Sequence, residues 1–225
     1  FQRNPGKGFG DHVKTYLFKH KGKKYEYLFI ENAKGLMEVV QMGAIELHPW
    51  GADIKDIHHP DWMVFDLDPD TAVPFEAVKL AALDLRARLK KNKLESFVKT
   101  TGGKGLHVVV PLSGKNKWDE VKAFANDLAD QMVEEAPDAY VATMTKSKRA
   151  GKIFIDFFRN DYTATSVSDF SVRAREGASV ALPLEWDEIK KLKSANQFSM
   201  QDVVKRIKKK KPDLKRYNKK QNLPK

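Results

Sequence analysis

Two acids, Asp66 and Asp68 in WMVFDLDPD (62–70), close a run that is otherwise apolar. On a strand, residues two apart share a face, so both carboxylates project to one side. Carboxylates that close repel one another unless a cation lies between them, and hard ions such as magnesium or manganese take such oxygens readily. The plainer alternative has one Asp binding the turn at Pro69 and the other paired with a surface Lys or Arg. A third acid, Asp156, interrupts the Ile and Phe of IFIDFFRN (153–160), where burial without a partner costs several kcal/mol. A metal shared with Asp66 and Asp68 supplies that partner, and a salt bridge to Arg149, Lys152 or Arg159 is the alternative. Three carboxylates on neighbouring strands fit a two-metal site, in which one ion activates an attacking hydroxyl and both stabilise a pentavalent phosphate.

Basic and small residues offer a matching anion site. In TTGGKGLHVVVPL (100–112), Gly102, Gly103 and Gly105 let backbone approach an anion, while Thr101, Lys104 and His107 supply donors beside it. The segment lacks P-loop spacing and leads into a strand, so a glycine-rich hairpin with a solvated Lys and a core histidine is the competing reading. Arg173 and Arg175 in SVRAR share a side if that segment is extended; they suit phosphate through their planar forks, or simply a solvent-facing strand edge. Metal binding by His48, His58, His59 and His107 is less attractive, because HHP (58–60) falls in a loop without metal-ligand spacing.

The elements that must position these groups follow from periodicity. Strands are expected at 25–30, 62–70, 96–100, 106–110 and 153–158, with 44–50 extended. Helices are expected at 36–42, at 74–90 (stripe Phe75, Val78, Ala82, Leu85, Leu89) and at 118–135 (stripe Trp118, Val121, Ala125, Leu128, Met132). Shorter helices are expected at 185–192 and 200–211, followed by a basic, frayed end. The tight strand-turn-strand at Gly102 and Gly103 signals antiparallel pairing, hence an α+β fold rather than a doubly wound parallel sheet. The expected organisation is one catalytic domain over 1–195 with a basic helix and tail over 196–225.

Composition narrows the partners. The 225 residues are 41% hydrophobic, enough for one sizeable core, and 41 Lys and Arg against 30 Asp and Glu give a net charge of +11. Such a surplus suits phosphate-rich nucleic acid, with an anionic membrane surface as the other common partner. The absence of cysteine excludes disulfides, thiolate zinc sites and cysteine nucleophiles. No apolar run reaches bilayer-spanning length and the first residues lack a signal-peptide layout, so a cytoplasmic location is expected.

Taken in order, AIELHPWGA, WMVFDLDPD, TTGGKGLHVVVPL, IFIDFFRNDYTATSVS and SVRAREGASVALPLEWDE resemble the polymerase domain of bacterial DNA ligase D, within the archaeo-eukaryotic primase superfamily. The likeness runs from about residue 36 to about 192, with a weaker echo in FQRN at the start. It implies a primase-polymerase fold, with a central, mostly antiparallel sheet carrying the acids and helices flanking it. It further implies a nucleotidyltransferase of non-homologous end joining that fills gaps or extends broken DNA ends, prefers ribonucleotides to deoxyribonucleotides and uses manganese or magnesium. Ku and a DNA ligase are the partners it implies.

By that resemblance, Asp66, Asp68 and Asp156 hold two metal ions. His48 lies by the incoming nucleotide, and Thr101, Gly102, Lys104 and His107 hold its triphosphate. Relatives often have Ser where this chain has Thr101, which keeps the hydroxyl. Arg149 and Arg173 match basic positions around the phosphates, and Arg159 and Arg175 match positions on the DNA side. Relatives also carry a basic segment before the FQ element that contacts the downstream DNA end. This sequence starts at Phe1, leaving Lys7, Lys14, Lys19 and Lys21 as the substitutes for contact with a 5′ phosphate. A DNA end-binding module without catalysis and a nuclease are the rival functions, the second less suited to the glycine loop and arginines.

Overall fold

A computed structural model describes residues 8–209 and 218–224, and the chain divides into two compact units, Phe1–Ile45 and Glu46–Lys225. Sequence reading drew no boundary at residue 45. In the first unit, β1 (Val13–His20) and β2 (Lys23–Ile30) form an antiparallel hairpin in which His20 pairs with Lys23. Its two-residue turn has φ of 48° at Lys21 and 76° at Gly22, the pair of positive angles that a type I′ turn requires. Phe18 packs between Tyr25 and Tyr27 on one face of the hairpin. Helix α1 (Ala33–Gln41) is capped by the Asn32 side chain, which accepts from the Lys34 and Gly35 amides. Gly35 is required there, because a Cβ would stand 2.5 Å from the His12 carbonyl oxygen.

The second unit is built on a six-stranded sheet, the α+β arrangement with helices flanking a mostly antiparallel sheet. Its strands are β3 (Trp62–Pro69), β4 (Phe97–Thr100), β5 (Leu106–Pro111), β6 (Tyr140–Val141), β7 (Ile153–Asp156) and β8 (Pro183–Leu184), in the order β6-β7-β3-β5-β4-β8. Every pairing is antiparallel except β6 with β7. Strand alternation divides the faces. Met63, Phe65 and Leu67 pair with Val110, Val108 and Leu106 and are buried with α2 (Phe75–Lys91) and α3 (Trp118–Glu135). The helices contribute the expected stripes: Val78, Ala82, Leu85 and Leu89 from α2, and Val121, Ala125, Leu128 and Met132 from α3. With one face sealed by this core, the even-numbered residues of β3 must point to the other, and these include Asp66 and Asp68.

Beyond the unanticipated strands β1, β6 and β8, three segments differ from the sequence reading. The strand expected over 153–158 ends at Asp156, and Phe158–Asn160 form a 3-10 turn. The helix expected over 185–192 shrinks to one 3-10 turn, Glu188–Lys191. The end expected to fray is tied down over 218–224: the Gln221 side chain accepts from the Glu95 amide and donates to the Glu95 and Pro111 carbonyls. Helix α4 (Met200–Lys209) buries Val203 in the core, and its Arg206 meets Glu188 through two parallel hydrogen bonds.

Candidate active site

The acids sit in one row across the sheet. Asp66, on the central strand β3, pairs with Asp156 of β7 on one side and His107 of β5 on the other, and His107 pairs in turn with Lys99 of β4. Asp68 follows two residues along β3, opposite Phe154. Strand parity therefore delivers three carboxylates, an imidazole and an ammonium to the face away from the helices. Lys99 is buried and donates to the Val167 carbonyl while pairing with Asp169 at 3.0 Å, which fastens the segment carrying Ser166 and Val167 beside the row.

Above the row lies a cleft of about 420 Å³. It gathers His48, Asp66, Asp68, Thr101, Lys104, His107, Arg159, Arg173 and Arg175 of the residues singled out in the sequence, together with Gly103, Gly105 and residues 165–167. Asp156 stands behind Arg159, whose Nη2 lies 2.9 Å from Asp156 Oδ2 and whose Nε lies 3.9 Å from Asp66 Oδ2. Arg149 is outside the lining, its guanidinium 3.6 Å from the centre of the Phe154 ring, yet its charge reaches both Asp68 and Asp156. Gly102 also lies behind the lining. Lys14 belongs to the first unit, paired with Glu31, and Lys7 lies outside the described residues.

The electrostatics differ along the row. Burial pushes Asp66 up, but the charge and hydrogen bond of His107, helped by Arg159 and Arg173, bring it below the ordinary carboxylate value. Burial raises Asp68, and the Asp66 charge raises it further against Arg149 and Lys104. Burial likewise raises Asp156, with Arg159 pulling it down and Asp66 pushing it up. Asp68 and Asp156 thus face a shortage of positive charge that Arg159 only partly meets. Among the described residues no three acids or histidines stand close enough to form a finished metal cage. The donor set is nonetheless all-carboxylate on adjacent register positions, which fits hard divalent ions drawing the side chains together.

The glycine loop lines the cleft and is also held by its own internal bonds. The Thr101 hydroxyl donates to the Gly105 carbonyl at 2.9 Å and accepts from the Gly103 amide at 3.1 Å, so it holds its own turn. Gly102, at φ 65°, has Arg173 Cγ where a Cβ would come within 2.7 Å, and a Cβ on Gly105 would stand 2.1 Å from the Leu67 carbonyl oxygen. Two of the three glycines are therefore demanded by protein packing, and Gly103 lines the cleft. The segment at 171–175 is not extended but turns tightly, with Arg175 donating its amide to the Arg173 carbonyl, and it brings both arginines to the cleft.

Two residues were missed. Asn160, fully buried, accepts from the Val64 amide at 2.7 Å and donates to the Val64 carbonyl at 2.8 Å and to the Phe157 carbonyl at 2.9 Å. One side-chain amide replaces the strand pairing that β7 abandons after Asp156, so the chain can turn back and lay Arg159 over the acids. Glu46 accepts from His48 Nε2 at 2.8 Å and from the Ala174 amide at 2.7 Å, and its Oε1 lies 3.2 Å from Arg173 Nε. Burial pushes Glu46 up, but His48, Ala174 and Arg173 outweigh it and hold the carboxyl at about 2, from an ordinary value of 4.5. A depressed acid adds stability above its unfolded pKa and loses it as pH falls through the folded one. Glu46 therefore contributes stability at neutral pH, an amount reduced by solvent screening because the carboxylate is only partly buried. Urea unfolding between pH 7 and pH 2 should show a smaller acid loss for Glu46→Gln than for the wild type, the curves converging near pH 2.

Sheet, helices and acid row together define a primase-polymerase domain, a class whose family model, "LigD, primase-polymerase domain", matches residues 1–214. The chain belongs to the LigD primase-polymerase family. It is 39% identical over 180 residues to the multifunctional non-homologous end joining protein LigD of Pseudomonas aeruginosa, covering 80% of this chain and 21% of that protein. It is 36% identical over 172 residues to the LigD of Mycolicibacterium smegmatis, covering 76% and 23%. The bifunctional LigD of Bacillus subtilis is 26% identical over 210 residues, covering 93% and 34%. This chain thus spans between a fifth and a third of these relatives. Among solved structures, the polymerase domain from Mycobacterium tuberculosis ligase D in complex with DNA superposes with a TM-score of 0.86 at 28% identity, covering 96% of this chain and 77% of that one.

Proposed function

We propose that this chain is a DNA-directed nucleotidyltransferase that extends or gap-fills DNA ends in non-homologous end joining, adding ribonucleotides in preference to deoxyribonucleotides. The observation that carries this reading is the meeting, in one cleft, of Asp66 and Asp68, with Asp156 beside Asp66 in the row behind Arg159, and a wall of His48, Lys104, Arg173 and Arg175. Asp66, Asp68 and Asp156 would hold two magnesium or manganese ions, which when bound lower the charge on the reacting phosphate and favour the ionised primer hydroxyl. The wall meets the negative charge of a triphosphate: Lys104 as a point charge, Arg173 and Arg175 as planar forks. Holding the polyphosphate from that side turns its α-phosphate toward the acids, where the primer 3′ hydroxyl attacks and pyrophosphate leaves. The Lys99 anchor holds the segment through which Ser166 and Val167 line the cleft.

DNA is the proposed polymeric substrate, supported by the net charge of +11 and by the DNA-bound neighbour, and Ku and a ligase are the proposed partners in the repair complex. Among the described residues no helix is long and apolar enough to cross a membrane, and action on DNA ends would place the protein with the nucleoid in the cytoplasm. Incubating the protein with gapped DNA and each labelled nucleotide tests the reading. Ribonucleotide addition ahead of deoxyribonucleotide addition, supported by manganese or magnesium and stopped by chelation, is expected. Release of nucleotides from a labelled strand without triphosphates would instead support a nuclease.

A further inference from the structure

We propose that Glu46 is a positioning residue for the incoming nucleotide, holding His48 and Arg173 in the single arrangement in which both meet its polyphosphate. The proposal rests on the nucleotidyltransferase reading and names a residue that does not itself line the cleft. Glu46 joins two segments that are distant in sequence: its Oε2 takes His48 Nε2 at 2.8 Å, while its Oε1 takes the Ala174 amide at 2.7 Å and lies 3.2 Å from Arg173 Nε. Arg173 also donates through Nη1 to the Thr101 carbonyl and lays its Cγ against Gly102, so the linkage continues into the glycine loop. An ionised carboxylate only accepts hydrogen bonds. His48 must therefore present a protonated Nε2 to Glu46, which fixes its ring orientation and tautomer. Arg173 is hydrogen-bonded through Nη1, and the Glu46 charge beside its Nε restricts it further, so the rest of its fork is directed by that constraint.

The same segments are fastened without the Glu46 side chain. The Leu47 amide donates to Ser171 Oγ at 2.9 Å and the Ser168 amide to the Leu47 carbonyl at 2.8 Å. Loss of the Glu46 charge should therefore loosen two side chains while the backbone stays folded. Glutamine keeps the shape but has one oxygen: turned toward Ala174 and Arg173, it presents its NH2 to His48, whose Nε2 must then accept and whose proton moves to Nδ1.

The test compares wild type, Glu46→Gln and Glu46→Ala for binding of ATP by calorimetry and for nucleotide addition to gapped DNA, with the His48 tautomer read by nitrogen NMR. For Glu46→Gln we expect about tenfold weaker ATP binding and a matching rise in KM, as for a lost charge-assisted hydrogen bond. Its kcat should stay within about threefold, and the His48 proton should shift from Nε2 to Nδ1. Glu46→Ala should weaken ATP binding at least as much while leaving its circular dichroism spectrum native. Unchanged ATP binding in both variants overturns the positioning role while leaving the nucleotidyltransferase reading intact. A folded wild type that binds no ATP overturns that reading and the role of Glu46 with it.

Discussion

Asp68→Ala is expected to lower nucleotide addition by at least about a thousandfold while DNA binding stays within about twofold, because in the proposed mechanism charge stabilisation worth several kcal/mol in the transition state depends on the acids. The position of Asp68 supports so large an effect. It extends from the central strand, two residues beyond Asp66, and its carboxyl is raised by burial and by Asp66. The raised value also fixes the sign of a second consequence. An acid held above its unfolded pKa destabilises the folded protein at neutral pH, and that cost disappears once the group is protonated in both states. Without divalent ions, Asp68→Ala should therefore melt higher than the wild type at pH 7, with the difference closing as pH falls below the ordinary carboxylate range. Gap filling, a DNA gel shift and thermal melting in chelator check all three expectations. Near-normal addition by the purified variant would remove Asp68 from the catalytic set.

Asn160→Leu should cost about 2–5 kcal/mol of stability, since two buried backbone groups lose their partner and each unpaired group costs about 1–3 kcal/mol. Those groups are the Val64 amide and carbonyl, while the Phe157 carbonyl loses one of two donors and keeps the Asn160 backbone amide at 3.0 Å. Asn160→Asp keeps the acceptor for the Val64 amide and loses both donated bonds, so it should also destabilise the protein. In the fraction of Asn160→Leu that remains folded, the turn carrying Arg159 loses its anchor to β3, and nucleotide addition should fall more than stability alone explains. Urea unfolding measures the first effect and activity per folded molecule the second. A stability change under about 1 kcal/mol would mean that water or relaxed backbone can replace the side chain at this position.

Much of the site was legible in local sequence because local rules produce it. Apolar alternation in WMVFDLDPD places Met63, Phe65 and Leu67 in the core and thereby turns Asp66 and Asp68 to the opposite face. The stripe in α3 gave both ends of that helix, Trp118–Glu135, because its apolar residues recur at helical spacing without interruption. Strand β1 was missed: VKTYLFKH mixes basic and apolar residues, and its turn uses Lys21 and Gly22 rather than the usual Asn-Gly or Asp-Gly pair. Asn160 and Glu46 could not be read locally at all. Asn160 acts on Val64 across 96 residues and Glu46 on Ala174 across 128, distances at which neither periodicity nor turn chemistry carries information. The glycines of TTGGKG were visible as a loop, but the demand on Gly105 comes from the Leu67 carbonyl of a different strand.

The most direct test of the central claim is addition of a single nucleotide to four gapped DNA substrates that differ only in the template base, with magnesium or manganese present and wild type and Asp68→Ala run in parallel. The wild type is expected to add the nucleotide complementary to each template base and the variant to add essentially none. A folded, DNA-binding wild type that adds no nucleotide to any substrate, or an Asp68→Ala protein that adds as much as the wild type, would contradict that claim.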